Sequence, residues 1–209
     1  EMLPTARRVS YPGAVIGIRA RGIVRGEVPH TSIGAMAADY LEQIKARQPN
    51  GPYHLCGYSS GGLVAFEIAR CLSDSGDEVG LVGLFDTTMS PMRWPLRAWR
   101  AILTRRVARL TSALLNTPAR MWPAQFRLLA ERLHARRGAL GTEPSLGIKV
   151  IARTLIASAK YRPGFYRGDL TLFSPATREP GLPPLQSIWR EHARTVTVVE
   201  TPGTHSTML

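Results

Sequence analysis

The chain has 209 residues, and 27 Lys and Arg against 15 Asp and Glu give a formal net charge of +12. That length suits a single domain, 1–209, and 44% hydrophobic with 20% charged residues is the make-up of a packed globular protein, which excludes a disordered or collagen-like chain. No run approaches the roughly 18 consecutive apolar residues of a membrane-spanning helix. The opening Glu1-Met2-Leu3-Pro4 lacks the tripartite pattern of a signal peptide, so the expectation is a cytoplasmic protein without membrane association. Cys56 and Cys71 lie in apolar sequence with neither a second pair nor a nearby His. They read as reduced structural thiols, not as a disulfide framework or zinc site, and nothing implies a metal or redox cofactor.

Taken in chain order, residues 15–18 form a short apolar run after Tyr-Pro-Gly and read as a buried strand. Ser32 is placed to cap a helix to about 47, since Ile33, Met36, Ala37, Tyr40, Leu41 and Ile44 recur at three- and four-residue spacing. Pro49-Asn50-Gly51-Pro52 stops it, and 53–56 predicts a strand. Gly-Tyr-Ser-Ser-Gly-Gly then leads into a helix over about 63–72 that ends near Gly76, and 79–85 is a continuous apolar strand closed by Asp86. Two further strands are expected over 170–173 and 195–199. Strands alternating with helices imply an α/β fold, a mainly parallel sheet covered by helices on both faces.

Residues 90–161 depart from that alternation, with some seventy residues of helix-like sequence broken at Pro95, Pro118, Pro123 and Pro144. An excursion of that length often covers the mouth of a site, and we read it as a helical lid. It also concentrates charge: between 91 and 140 stand eleven arginines and one acid, Glu131, so 11 − 1 = +10 of the total +12 lies there. Solvated arginine faces are the plain reading, and steering of an acidic protein partner is the functional one. Nucleic acid is not expected as a partner, because no recognition helix, stacking platform or zinc module accompanies the charge.

Gly57-Tyr58-Ser59-Ser60-Gly61 matches Gly-x-Ser-x-Gly, the sharp strand-to-helix turn that raises a serine hydroxyl above a sheet. Its register selects Ser59, since Ser60 would need glycine at 58. The flanking glycines, Gly57 and Gly61, are expected to let strand and helix approach closely. The backbone N–H of Ser60, at the helix start, is a candidate oxyanion donor. A serine hydroxyl needs a base, and the base an orienting carboxylate. Asp86 stands at the end of the strand after the elbow and His205 in the Pro-Gly-Thr-His loop after the last strand, giving the Ser, Asp, His order of α/β-hydrolases. His30, His134 and His192 fit less well, and His54 is expected to point sideways into packing.

Residues 51–69, GPYHLCGYSSGGLVAFEIA, resemble the nucleophile region of thioesterase domains that terminate nonribosomal peptide and polyketide assembly lines. Gly80–Thr87 (GLVGLFDT), Tyr161-Arg162-Pro163 with 168–173, Trp189 and the closing 202–209 extend the match, as does 20–41; only the lid falls outside it.

The resemblance implies an α/β-hydrolase fold and an acyl-enzyme mechanism, in which an acyl or peptidyl chain carried as a thioester on a carrier protein's phosphopantetheine moves to Ser59 and is released by hydrolysis or cyclisation. It makes Ser59 the nucleophile, His205 the base and then acid, and Asp86 its orienting partner, with no cofactor bound by the domain itself. The lid arginines would meet an acidic acyl or peptidyl carrier protein. Such domains open with a strand ending in a His-Pro-Gly-Gly-like loop that gives a second oxyanion donor, and close with a helix after the histidine. Neither pattern is found here, so the sequence reads as a piece of a longer chain. A stand-alone editing thioesterase, a general serine esterase and a non-catalytic carrier-binding module stay open as alternatives.

Overall fold

The computed structural model describes residues 13–90, 94, 100, 103–104, 107–108, 111–112, 145–178 and 182–209. The first helix, α1 (Ile33–Arg47), starts where Ser32 leaves extended backbone and its Oγ accepts the Ala35 N–H at 3.1 Å. Ile33, Met36, Ala37 and Tyr40 make its buried stripe, at the spacing that puts them on one face. Strand β1 (Tyr53–Tyr58) leads into α2 (Ser60–Asp74), which buries Leu63, Phe66, Ala69 and Leu72. Helix α2 stops at Gly76, whose φ of 81° suits glycine, while Gly76 N–H donates to Ser73 O and Asp77 N–H to Leu72 O.

Strand β2 (Val79–Phe85) follows, then α3 (Leu146–Lys160), β3 (Tyr166–Pro175), the short α4 (Leu185–Trp189) and β4 (Ala193–Thr201). The strands form one sheet in the order β1-β2-β3-β4, every pair parallel. All four C-terminal ends therefore lie along one edge, where open parallel sheets gather their ligands. Leu55, Val82, Leu84, Leu170 and Leu172 are among the buried positions of the strands. Behind them Phe66 packs against Trp189 with ring centroids 4.8 Å apart, and the Trp189 indole N–H donates to the Thr87 carbonyl at 2.8 Å. Helix α3 is pinned to α2 through the Tyr161 hydroxyl, which donates to Glu67 at 2.7 Å, and Glu67 in turn pairs with Arg70. Burial and that bond to a carboxylate push the Tyr161 hydroxyl well above the ordinary range for a phenol.

Several expectations are corrected. Residues 15–18 form no strand, and Val15, Ile16 and Ile18 are exposed. An apolar run becomes a strand only where a neighbour takes up its ladder bonds, and none of the described strands pairs with it. Cys56 and His54 are exposed and not packed inside, because inward and outward positions alternate along β1 and theirs face out. Both cysteines are free thiols. His192 follows α4 in a turn instead of lying within a helix. Most of the range expected as a lid, 90–161, lies outside the described residues; α3 falls at the C-terminal end of that range, and the described positions from 100 to 112 are helical. Among the described residues, no helix is long and apolar enough to cross a membrane.

Trp189→Ala is expected to cost about 3–5 kcal/mol through the cavity it opens. Trp189→Phe should cost about 1–3 kcal/mol for the unpaired Thr87 carbonyl, and urea denaturation midpoints would rank the two. Burial lowers His192 below its ordinary 6.5, against the smaller opposing pulls of the Gly164 backbone, the Glu191 carboxylate and the Pro163 backbone. The unfolded chain thus binds the extra proton first, so this contribution is present above 6.5 and lost as pH falls through that value towards the folded one. His192→Gln is expected to flatten the fall in stability between pH 7.5 and pH 5, read by the same denaturation at each pH.

Candidate active site

Each strand delivers one group just beyond its C-terminal end. Ser59 follows β1 with φ 53° and ψ −123°, and Asp86 follows β2 with φ 38°. Among the described residues these are the only two non-glycine positions with positive φ, a conformation that costs on the order of 1–3 kcal/mol and collects at functional sites. The elbow is held from both sides: Ser59 N–H donates to Phe85 O at 2.9 Å, and Ser59 O accepts from Gly62 N–H at 3.1 Å. A Cβ on Gly57 would run into the Gly61 carbonyl, as the motif requires. Gly61 itself faces open space, so the second close approach falls one residue later, at Gly62 against the Thr87 side chain. Ser60 is the first residue of α2, where a backbone N–H has no acceptor within the helix.

Asp86 is buried, and its N–H donates to Phe173 O at 2.8 Å. One carboxylate oxygen, Oδ2, lies 2.7 Å from His205 Nδ1. An ionised carboxylate only accepts, so Nδ1 carries the hydrogen and Nε2 is left as the ring's acceptor. The other oxygen, Oδ1, accepts from Arg178 Nε at 3.3 Å. Arg178 reaches in from the loop after β3 and is itself fixed by Nη1 donating to the Pro183 carbonyl at 2.6 Å.

His205 sits on the turn after β4, with its side chain 46% exposed. Thr204 N–H donates to Thr207 Oγ1 at 2.9 Å and Met208 N–H to Thr204 O at 3.0 Å, which closes that turn around it. Tyr58, the residue before Ser59, stacks on the imidazole with ring centroids 4.8 Å apart and planes 25° from parallel, and its hydroxyl donates to the His205 carbonyl at 2.5 Å.

Asp86 and His205 are thus in direct contact, while no hydrogen bond joins Ser59 Oγ to His205 among the described residues. The remaining histidines lie elsewhere: His30 pairs with Asp39 at 3.0 Å, His54 sits on the outer side of β1 over Gly80, and His134 lies outside the described residues. No group of three or more metal-ligating side chains is present among the described residues. Sequence reasoning missed Arg178 and Tyr58. The strand-end rule that selected Asp86 points equally at Arg178, three residues past β3. Tyr58 had no comparable signal, since the contact to His205 spans 147 positions.

A family model described as "Thioesterase domain" matches residues 5–209. The nonribosomal peptide synthetase pngA of Aspergillus terreus (strain NIH 2624 / FGSC A1156) is 43% identical over 91 residues, which are 43% of this chain and 10% of that protein. The malpinin synthetase of Mortierella alpina is 45% identical over 80 residues, 36% of this chain and 1% of the synthetase. The chain therefore spans a small fraction of the curated relatives it matches. Among solved structures, a holo four-domain nonribosomal peptide synthetase bound to AMP and glycine superposes with a TM-score of 0.61 at 25% identity, covering 91% of this chain and 16% of that one. The NocB thioesterase domain, in covalent complex with a fluorophosphonate nocardicin G analogue, shares the fold with a TM-score of 0.54 at 24% identity, over 87% of this chain and 68% of its own.

Removing only the phenolic hydroxyl in Tyr58→Phe keeps the stacking and deletes the tether to the His205 carbonyl. A hydrogen bond of about 1 kcal/mol corresponds to roughly fivefold faster opening. Amide hydrogen exchange across residues 203–208 is expected to accelerate by that factor, with α2 unchanged.

Proposed function

The chain belongs to the thioesterase-domain family and has its α/β-hydrolase fold, and from that premise we propose that it releases an acyl or peptidyl chain from a carrier protein's phosphopantetheine thioester through a covalent intermediate on Ser59. The observation that carries this reading is the Asp86–His205 contact at 2.7 Å, set at the same sheet edge as the strained Ser59. Asp86 holds Nδ1–H, so Nε2 is the atom that takes the Ser59 proton as Oγ attacks the thioester carbonyl. The tetrahedral oxyanion is stabilised by the Ser60 N–H at the start of α2, and its collapse expels the phosphopantetheine thiol, protonated by His205. Water or a nucleophile within the chain then attacks the acyl-Ser59 ester with His205 again as base, giving hydrolysis or cyclisation. Such contacts commonly tighten only once substrate is bound, which accommodates the absent Ser59–His205 bond.

The carrier-linked context rests on the synthetase relatives and on the four-domain synthetase structure. Within it the positive charge of the arginines of 91–140, which lie outside the described residues apart from Arg100, suits an acidic carrier protein. Exposure to a fluorophosphonate followed by intact-protein mass spectrometry is expected to yield one adduct, mapped to Ser59 and lost in Ser59→Ala. The labelled site would make carrier-bound thioesters the substrates to follow. A folded full-length protein that takes no adduct would sink the reading and leave the carrier-binding module in its place.

A further inference from the structure

We propose that Arg178 is a positioning residue for the Asp86–His205 pair, orienting the carboxylate and limiting how strongly it draws a proton onto the imidazole. For its catalytic consequence the proposal rests on the reading above; the contact itself does not. The carboxylate has two oxygens and one rotatable bond to set them. His205 Nδ1 takes Oδ2 at 2.7 Å and Arg178 Nε takes Oδ1 at 3.3 Å, so the two donors together fix the plane of the group. His205 alone does this poorly, because its side chain is 46% exposed on the turn after β4. Arg178 does it better, since its side chain is only 15% exposed and its Nη1 is anchored on the Pro183 carbonyl.

Charge gives the second half of the argument. Asp86, 8% exposed, is a buried carboxylate, and a buried charge persists only with a partner. Guanidinium is cationic at every working pH, whereas imidazole is cationic only when protonated. Arg178 is therefore a permanent charge partner for the Asp86 carboxylate, whichever form His205 takes. The same cation opposes a second positive charge on the ring. Among the described residues, the groups that face His205 are the Tyr58 phenol from β1, Asp86 after β2 and, through Asp86, Arg178 after β3. Its own turn adds only the Thr204 and Thr207 hydroxyls. Arg178 is thus the one permanent cation among them.

The test is an NMR titration of the His205 imidazole, assigned with His205→Asn, in the wild-type protein, Arg178→Gln and Arg178→Lys. It is paired with the pH dependence of Ser59 phosphonylation by a fluorophosphonate. Arg178→Gln is expected to move the imidazole midpoint to higher pH by about one unit, with the acid limb of phosphonylation following, and to slow its plateau about tenfold. Arg178→Lys, which keeps the charge and loses the planar fork, should leave the midpoint in place and recover part of the rate. A midpoint unmoved in a folded Gln variant overturns the proposal, as does a Lys variant that shifts as far as Gln. If the midpoint moves as expected and no variant is ever phosphonylated, the serine-hydrolase reading fails and the positioning of His205 by Arg178 stands. Should the Gln variant not fold, the wild-type Arg178 Nε proton decides: slow exchange at pH 8 and a shift tracking the His205 titration support the proposal, and fast, unresponsive exchange overturns it.

Discussion

The site depends on backbone hydrogen bonds that continue past the ends of the strands. The last β1–β2 register pair is Tyr58–Phe85, and the next N–H, that of Ser59, still donates to Phe85 O. The last β2–β3 pair is Phe85–Phe173, and Asp86 N–H donates to Phe173 O. Beyond the β3–β4 pair Pro175–Thr201, Ala176 N–H donates to Thr201 O and Thr177 N–H to Gly203 O. Each loop is thereby tied to its neighbour before the chain turns away. Because parallel ladders place successive strand ends side by side, Ser59, Asp86, Arg178 and His205 reach one edge from positions spread across the chain.

Holding two residues at positive φ costs stability that the surroundings must offset. The turn after β2 is secured from three directions. The Asp86 N–H is taken by β3, the Thr87 carbonyl by the Trp189 indole, and the Thr87 side chain lies against Gly62 in the first turn of α2. Trp189 also packs on Phe66, so α4, α2 and the turn bearing the carboxylate share one piece of core. A side chain at position 62 would push α2 away from Thr87. That explains why the second tight glycine is Gly62 and not Gly61: the elbow itself has room, and the contact with the neighbouring turn does not.

What was legible in the sequence follows from where its information is local. Strands β1 to β4 and helices α1 and α2 announce themselves by short-range period and by Ser32, Gly57 and Gly76, and the structure places them where the pattern does. Ser59 is marked by the Gly-x-Ser-x-Gly register and Asp86 and His205 by their strand-end loops, and the structure brings the latter two into contact. The run at 15–18 has the composition of a strand, but pairing is a property of two segments, and its own residues do not state whether a partner is there. The same reasoning covers Tyr58, whose contact with His205 spans 147 positions, and it covers which residue Arg178 meets, 92 positions away, although its place after β3 was open to the strand-end rule.

The two ends of the Asp86–His205 pair are held in different ways, and the difference matters for chemistry. Asp86 is buried and braced by Arg178, so its position is set by packing. His205 is half exposed on the turn after β4, so packing holds it less firmly than it holds Asp86. Tyr58 compensates, gripping the ring by stacking and the backbone through its hydroxyl. Tyr58 is also bonded covalently to Ser59, so any shift of the elbow carries the clamp on the base with it. One short stretch of chain, Tyr58-Ser59, thus carries both the nucleophile and a contact to the base. Reacting groups need positioning to within about an ångström, and linking base and nucleophile through adjacent residues is a direct way to keep that tolerance for a half-exposed imidazole.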